Sequence, residues 1–137
     1  MDNGCALCAA QHEDYRLVYK DEHCFCIANI EPLNHGHFMV LPTRHVSELG
    51  SLTAEETHAI HQLFHRLEKA VKNEYGHDAL IALNRGANTS QDHIHYHILP
   101  IPHAFRKVVS RSEGLPERVR GTVEQLSAMR DKLVKHL

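Results

Sequence analysis

Neither sign of charge dominates this sequence: 15 Lys and Arg stand against 17 Asp and Glu, a formal net charge of −2 with histidine neutral. That balance excludes a basic groove as the main functional device, and with it an extended nucleic-acid surface. Long apolar runs are also missing. Segments such as 38–41 and 79–83 fall far short of a bilayer span, so no membrane partner is expected. Residues 1–10 lack the charged start and apolar core of a secretory leader, which makes the cytoplasm the expected location. Cysteine is scarce, at four: Cys5, Cys8, Cys24 and Cys26. Without a leader, metal binding or plain burial is preferred over a disulfide framework. Trp is absent, no repeat or low-complexity segment occurs, and 137 residues fit one domain with one core. What is plentiful is histidine, with 14 residues. Imidazole serves as metal ligand, nucleophile and proton shuttle near neutral pH.

Hydropathy periodicity organises the chain. Residues 15–20, 23–30 and 36–41 read as three strands, the last stopped by Pro42. Thr53 and Glu56 form a capping box that opens a helix. That helix carries Ile60, Leu63, Phe64, Leu67 and Val71 on one face, and Gly76 is a plausible stop. Residues 78–84 and 93–99 read as strands around a loop over 85–92, with Pro100 and Pro102 ending the second. Pro116 suits a first helical turn, and Val119, Val123, Leu126 and Leu133 trace a further amphipathic helix. The expected fold class is α+β: an antiparallel sheet of about five strands with a long helix and a C-terminal helix. Residues 1–103 would form the catalytic part, and 104–137 a mainly helical extension of the same domain.

The most informative stretch is His93-Ile-His95-Tyr-His97-Ile-Leu-Pro. In an extended strand His93, His95 and His97 share one face, about 6.6 Å apart, while Ile94, Tyr96 and Ile98 dock the other face on a core. Such a row suits metal binding or site chemistry better than an idle surface. Together with Cys5-Ala-Leu-Cys8, Val18-Tyr-Lys-Asp-Glu22, Asn29-Ile-Glu-Pro32, Gly36-His37-Phe-Met-Val-Leu-Pro42, Arg44-His45 and Asn84-Arg-Gly86, it resembles the histidine triad (HIT) nucleotide hydrolases and transferases over residues 5–102.

The resemblance implies a mechanism. His95 would attack the α-phosphorus of a nucleotide and form a nucleotidyl-histidine intermediate that water cleaves. His97 would hold a phosphate oxygen, with His37 near the same phosphate. Asn84 matches an asparagine that contacts phosphate, while Ser90 and Gln91 fall beside the leaving group. The loop carrying them is shorter than the family's usual one and lacks its second glycine. Asn29 stands where many members have an Asp that holds the ribose hydroxyls, and Asn can still donate and accept there. Ile30 and Phe25 are candidates for the base pocket, against plain core packing.

Some family members bind zinc through a CxxC, a histidine after the Pro-x-x element and the first triad histidine. Cys5, Cys8, His45 and His93 match these positions, a closed Cys₂His₂ set of structural type. His93 would then serve both metal and triad. Cys24 and Cys26 read as small buried hydrophobes. His58, His61 and His65 form a helical stripe that reads as a solvated face.

The expected activity is hydrolysis at the α-phosphate of a small nucleotidyl substrate, a dinucleoside polyphosphate or nucleoside phosphoramidate. The alternatives are a nucleotidyl transferase using the same histidine, or a zinc-stabilised nucleotide-binding regulatory module with little turnover. The resemblance also implies a homodimer.

Overall fold

The computed structural model describes residues 4–85 and 91–137. They fall into two compact units, one ending at Pro102 and the other spanning His103–Leu137. The first unit holds five strands: β1 (Leu17–Lys20), β2 (Cys24–Ala28), β3 (Phe38–Pro42), β4 (Ala79–Leu83) and β5 (Tyr96–Pro100). They form one antiparallel sheet in the order β1-β2-β3-β5-β4. The fold class is thus the α+β arrangement anticipated, with the expected five strands. Among the described residues, no helix is long and apolar enough to cross a membrane.

A short helix, α1 (Ala6–Ala10), precedes the sheet, and α2 (Ala54–Tyr75) crosses one face of it. Thr53 Oγ1 accepts from the Glu56 N–H, while Glu56 Oε2 accepts from the Thr53 N–H, so two of the helix's orphan donors are satisfied. Gly76 closes α2 in the left-handed conformation. The α2 stripe of Ile60, Leu63, Leu67 and Val71 packs on Cys24, Cys26, Val40 and Ile98. Each such side chain contributes about 1.5–3 kcal/mol of hydrophobic burial. On the opposite face, Leu7 and Ala10 of α1 cover Phe25, Ile27, Met39 and Leu41. The alternation of β2 therefore serves two cores, since successive side chains point to opposite faces. Cys24 and Cys26 are fully buried, and burial pushes both thiols up to about 12.

One glycine is fixed by its surroundings. Gly36 sits at φ +99°, and a Cβ there would lie 2.9 Å from the Tyr75 ring. It turns the chain into β3 and places His37 one residue before that strand.

The last strand and the C-terminal helix begin later than the sequence reading has them, and one helix is new. The last strand covers Tyr96–Pro100, not 93–99. Its ladder to β3 runs from Phe38↔Ile98 to Val40↔Tyr96. Upstream of Tyr96 the chain is held differently: the Ile94 N–H donates to the Val46 carbonyl, and the His93 carbonyl accepts from a side chain. The C-terminal helix starts later than Pro116, at Val123, because Thr122 and Gln125 form a second capping box. Between β5 and this helix, α4 (Val123–Val134), lies an unanticipated one, α3 (Phe105–Glu113). Ala104 offers no side-chain cap to α3, and its Val108-Val109 pair has weak helix propensity, so local signals are poor.

The two sheet edges are unlike. β4 is regular, and all five of its residues are half-buried. β1 carries a break in register between Leu17 and Tyr19, a bulge that leaves Val18 exposed.

Candidate functional site: two adjoining histidine clusters

The first cluster gathers where the chain leaves β3 and enters β5. Cys5 caps α1, its Sγ accepting from the Cys8 N–H at 3.4 Å, so both cysteines lie on the first turn. The fully buried His93 donates from Nε2 to the Pro42 carbonyl at 3.0 Å. That leaves the Nδ1 lone pair facing Cys8 Sγ at 3.3 Å and Cys5 Sγ at 3.7 Å. His45 Nδ1 lies 3.2 Å from Cys8 Sγ. All four ligand atoms fall within 4.8 Å of one another. A tetrahedral ion bonded to sulfur near 2.3 Å and nitrogen near 2.0 Å needs sulfur–nitrogen edges of roughly 3.5 Å. The residues fit a metal ion, and burial holds the His93 imidazole below its usual pKa, favouring the neutral ligand form.

Arg44 ties this cluster to α2. Its Nε–H and Nη2–H donate to Glu56 at 2.8 and 3.0 Å, which holds that carboxyl below the usual range.

The second cluster lines a cavity of about 580 Å³ on the α1 side of the sheet. His95 Nδ1–H donates to the His93 carbonyl at 2.8 Å, so the neutral ring carries its lone pair on Nε2. The Leu33 N–H donates to His37 Nδ1 at 3.0 Å, which assigns the His37 proton to Nε2. That Nε2–H donates to His97 Nδ1 at 2.9 Å. His97 in turn carries its proton on Nε2. Two neighbouring rings thus hold opposite tautomers: His95 offers an acceptor where His97 offers a donor. Their centroids are 5.1 Å apart at 78°, closer than the strand spacing of about 6.6 Å because the rings tilt together. Burial, with His95 and His37 nearby, pushes His97 down to about 4, and burial lowers His37 as well.

The structure brings seven of the anticipated site residues to this one cavity: His37, His95, His97, Asn84, Gln91, Asn29 and Ile30. Asn29 Oδ1 accepts from the Glu31 N–H at 2.9 Å, and its Nδ2 lies 3.3 Å from His37 Nε2. Ser90 lies outside the described residues. Two candidates sit elsewhere. His93 is turned into the metal-ligand cluster and does not line the cavity; Phe25 is buried in the core under α1. His58, His61 and His65 are exposed on α2. Sequence reading missed the opposite wall, made by Ala6, Leu7 and Ala9 of α1 with Glu13 and Arg16 beyond it. The missed signal was the CxxC itself, because a helix capped by Cys5 must present the residues between and after the cysteines to whatever its ligands face.

The family described as "Scavenger mRNA decapping enzyme C-term binding" matches residues 4–112. The chain is 28% identical over 118 residues to an adenylylsulfatase of Arabidopsis thaliana, covering 84% of this chain and 60% of that one. It is 28% identical over 117 residues to an AP-4-A phosphorylase of Mycobacterium tuberculosis, covering 80% and 60%. A crystal structure of a HIT family protein from Bacillus subtilis superposes with a TM-score of 0.72 at 23% identity, covering 98% of each chain, which shows the shared fold. The chain belongs to the histidine triad family. It spans 60% of the length of the two curated relatives named here.

Proposed function

We propose that this chain hydrolyses a small nucleotidyl substrate, a dinucleoside polyphosphate or nucleoside phosphoramidate, through a nucleotide bound covalently to His95. The observation that supports this most is the pair of opposed tautomers. His95 Nε2 attacks the α-phosphorus in line, forming a P–N bond as the bond to the leaving group breaks. The leaving group departs with the electron pair and is protonated. His97 Nε2–H donates to a non-bridging oxygen, and the donor chain from Leu33 through His37 keeps that proton in place. Asn84 and Gln91 flank the phosphate, with Asn29 at the ribose and Ile30 against the base. Water then attacks phosphorus, the P–N bond breaks, and nucleoside monophosphate leaves as His95 regains its lone pair. The carbonyl of His93, which aims the ring, also stabilises the imidazolium character of the intermediate.

His95→Ala is expected to lower kcat by about 10⁴-fold or more. Brief mixing of the parent protein with substrate, then quench in alkaline denaturant to spare the acid-labile P–N bond, should add one nucleotidyl group to its mass. Unchanged turnover in the variant would refute the route. Transfer to an acceptor other than water shares the first step and is favoured by the phosphorylase name of the mycobacterial relative. Phosphate added to the adduct would then yield a nucleoside diphosphate.

The cluster of Cys5, Cys8, His45 and His93 is read as a structural Zn²⁺ centre. Thiolate and imidazole are the donors that Zn²⁺ favours, and four protein ligands leave no open position. When bound, the ion supplies a cross-link between α1, the segment after β3 and the segment before β5.

A homodimer through β4 fits that strand's place at the end of the sheet. Next to it, Arg85 has a buried Nη1 with no partner among the described residues. Sedimentation should show two chains per particle, and a monomer at micromolar concentration would reject the pairing.

A further inference from the structure

The cavity wall carries one charged pair that the chemistry above leaves unused. The Arg16 side chain is only 8% exposed, yet it lines the cavity together with Glu13. Its Nε–H donates to Glu13 Oε2 at 2.6 Å and its Nη1–H to the Ala28 carbonyl at 3.3 Å. The Tyr15 hydroxyl donates to the same Glu13 oxygen at 3.2 Å. The pair is therefore held in place, while Glu13 Oε1 and Arg16 Nη2 take no partner among the described residues. Placing a guanidinium out of water is costly unless it is used. Turn closure does not need it: the Glu13 carbonyl already accepts from the Arg16 and Leu17 N–H groups at 3.1 and 3.2 Å.

The surroundings say which part of a substrate this pair meets. Ala6, Leu7, Ala9, Ile30 and Met39 make the adjoining wall apolar, as a flat aromatic ring requires. The Arg16 hydrogen bond holds the Glu13 carboxyl below its usual pKa, so it is an anion near neutral pH and repels phosphate. The phosphates belong with the histidines and a ring with α1. An acceptor on Glu13 beside a donor on Arg16 then meets the edge of that ring.

We propose that Glu13 and Arg16 read the polar edge of the nucleobase, with Glu13 Oε1 accepting from base N–H groups and Arg16 Nη2 donating to a base acceptor, and that they favour guanine. This rests on the nucleotidyl reading above. Guanine sets N1–H and N2–H beside O6, two donors for the carboxylate and an acceptor for the guanidinium. Adenine offers a single amino donor beside a ring nitrogen. The one N–H of uracil is flanked by two carbonyls, which a carboxylate repels.

The test is calorimetric titration of the intact protein with GMP, AMP and UMP, run beside kcat/KM for phosphoramidates of the same three nucleosides. GMP should bind about 10-fold or more tighter than AMP, and UMP weakest, as expected where a charged hydrogen bond goes unmade. Glu13→Gln, nearly isosteric, should reduce the GMP-to-AMP ratio to within about threefold, because the amide cannot accept and repel as an anion does. Arg16→Lys retains charge but loses the fork, and should lower the ratio in the same direction. A flat wild-type preference overturns the proposal. So does a Glu13→Gln variant that melts earlier and loses affinity for all three nucleotides in equal proportion, because a purely structural pair behaves that way. Ordered binding without turnover of any substrate would sink the covalent reading and leave the base-reading pair standing; turnover without base preference would do the reverse.

Discussion

His93 and His97 lie four residues apart on one stretch of chain, and the structure makes opposite things of them. His93 is fully buried with its Nε2–H on the Pro42 carbonyl, and it turns Nδ1 toward two thiols. His97 is half-buried, receives the His37 proton at Nδ1, and turns its own N–H into an open cavity. His95 sits between them, its Nδ1–H tied to the carbonyl of the first and its ring against the second. On the proposed reading, what separates a ligand from a donor or a nucleophile is which nitrogen the protein occupies. Residue type is the same in all three; the partner of the second nitrogen decides the role.

The comparison breaks most readily on the ligand side. Cys8→Ser, or chelation of the parent protein, should lower Tm by about 10 °C or more, because the proposed metal cross-link would hold α1 against the sheet. His95→Ala should stop turnover and lower Tm by only a few °C, since the ring lies in the cavity wall and outside both core clusters. Scanning fluorimetry on both variants reads the contrast. Equal Tm shifts would mean the two clusters are one structural unit.

A subtler difference is visible in pH. In the folded chain His97 titrates at about 4, against about 6.5 when unfolded, so the unfolded state takes up its proton first as pH falls. The stability that His97 contributes is complete above about pH 6.5 and is lost toward pH 4, on the order of 1–2 kcal/mol after allowing for its partial exposure. Urea midpoints of the parent and His97→Asn should therefore converge on acidification. The candidate metal ligands titrate in both proteins and cancel in the difference. A constant gap from pH 7.5 to 4.5 would show that His97 is not held neutral.

Much of this was legible in the chain because it depends on local chemistry. Thr53 and Glu56 announce α2, and Cys5-x-x-Cys8 announces thiols on one side of a turn. Alternating histidines among β-formers announce a polar face on an apolar strand. Other features depend on contacts remote in sequence. Period-2 alternation could not reveal that the ladder stops at Tyr96, because that depends on Val46 taking the Ile94 N–H. For the same reason His93 leaves the row, and Phe25, which alternates as a pocket residue would, lies beneath α1 instead. Helix α1 has five residues, too few for any periodicity, and α3 has no cap of its own. Glu13 and Arg16 look in sequence like ordinary turn charges, and only the cavity they share distinguishes them.

The break in register of β1 bears on how large an assembly the sheet can build. A flat, regular edge is a template for another strand, and a molecule with two such edges can polymerise without limit. Here Leu17 and Tyr19 pair out of step and interrupt that edge, while β4 at the other edge keeps an unbroken register. A sheet with one receptive margin can join a single copy of itself, margin to margin, and is then capped at both ends. On the proposed pairing, the irregularity in β1 would be a stop against fibre growth, set one residue along the chain from Arg16 in the cavity wall.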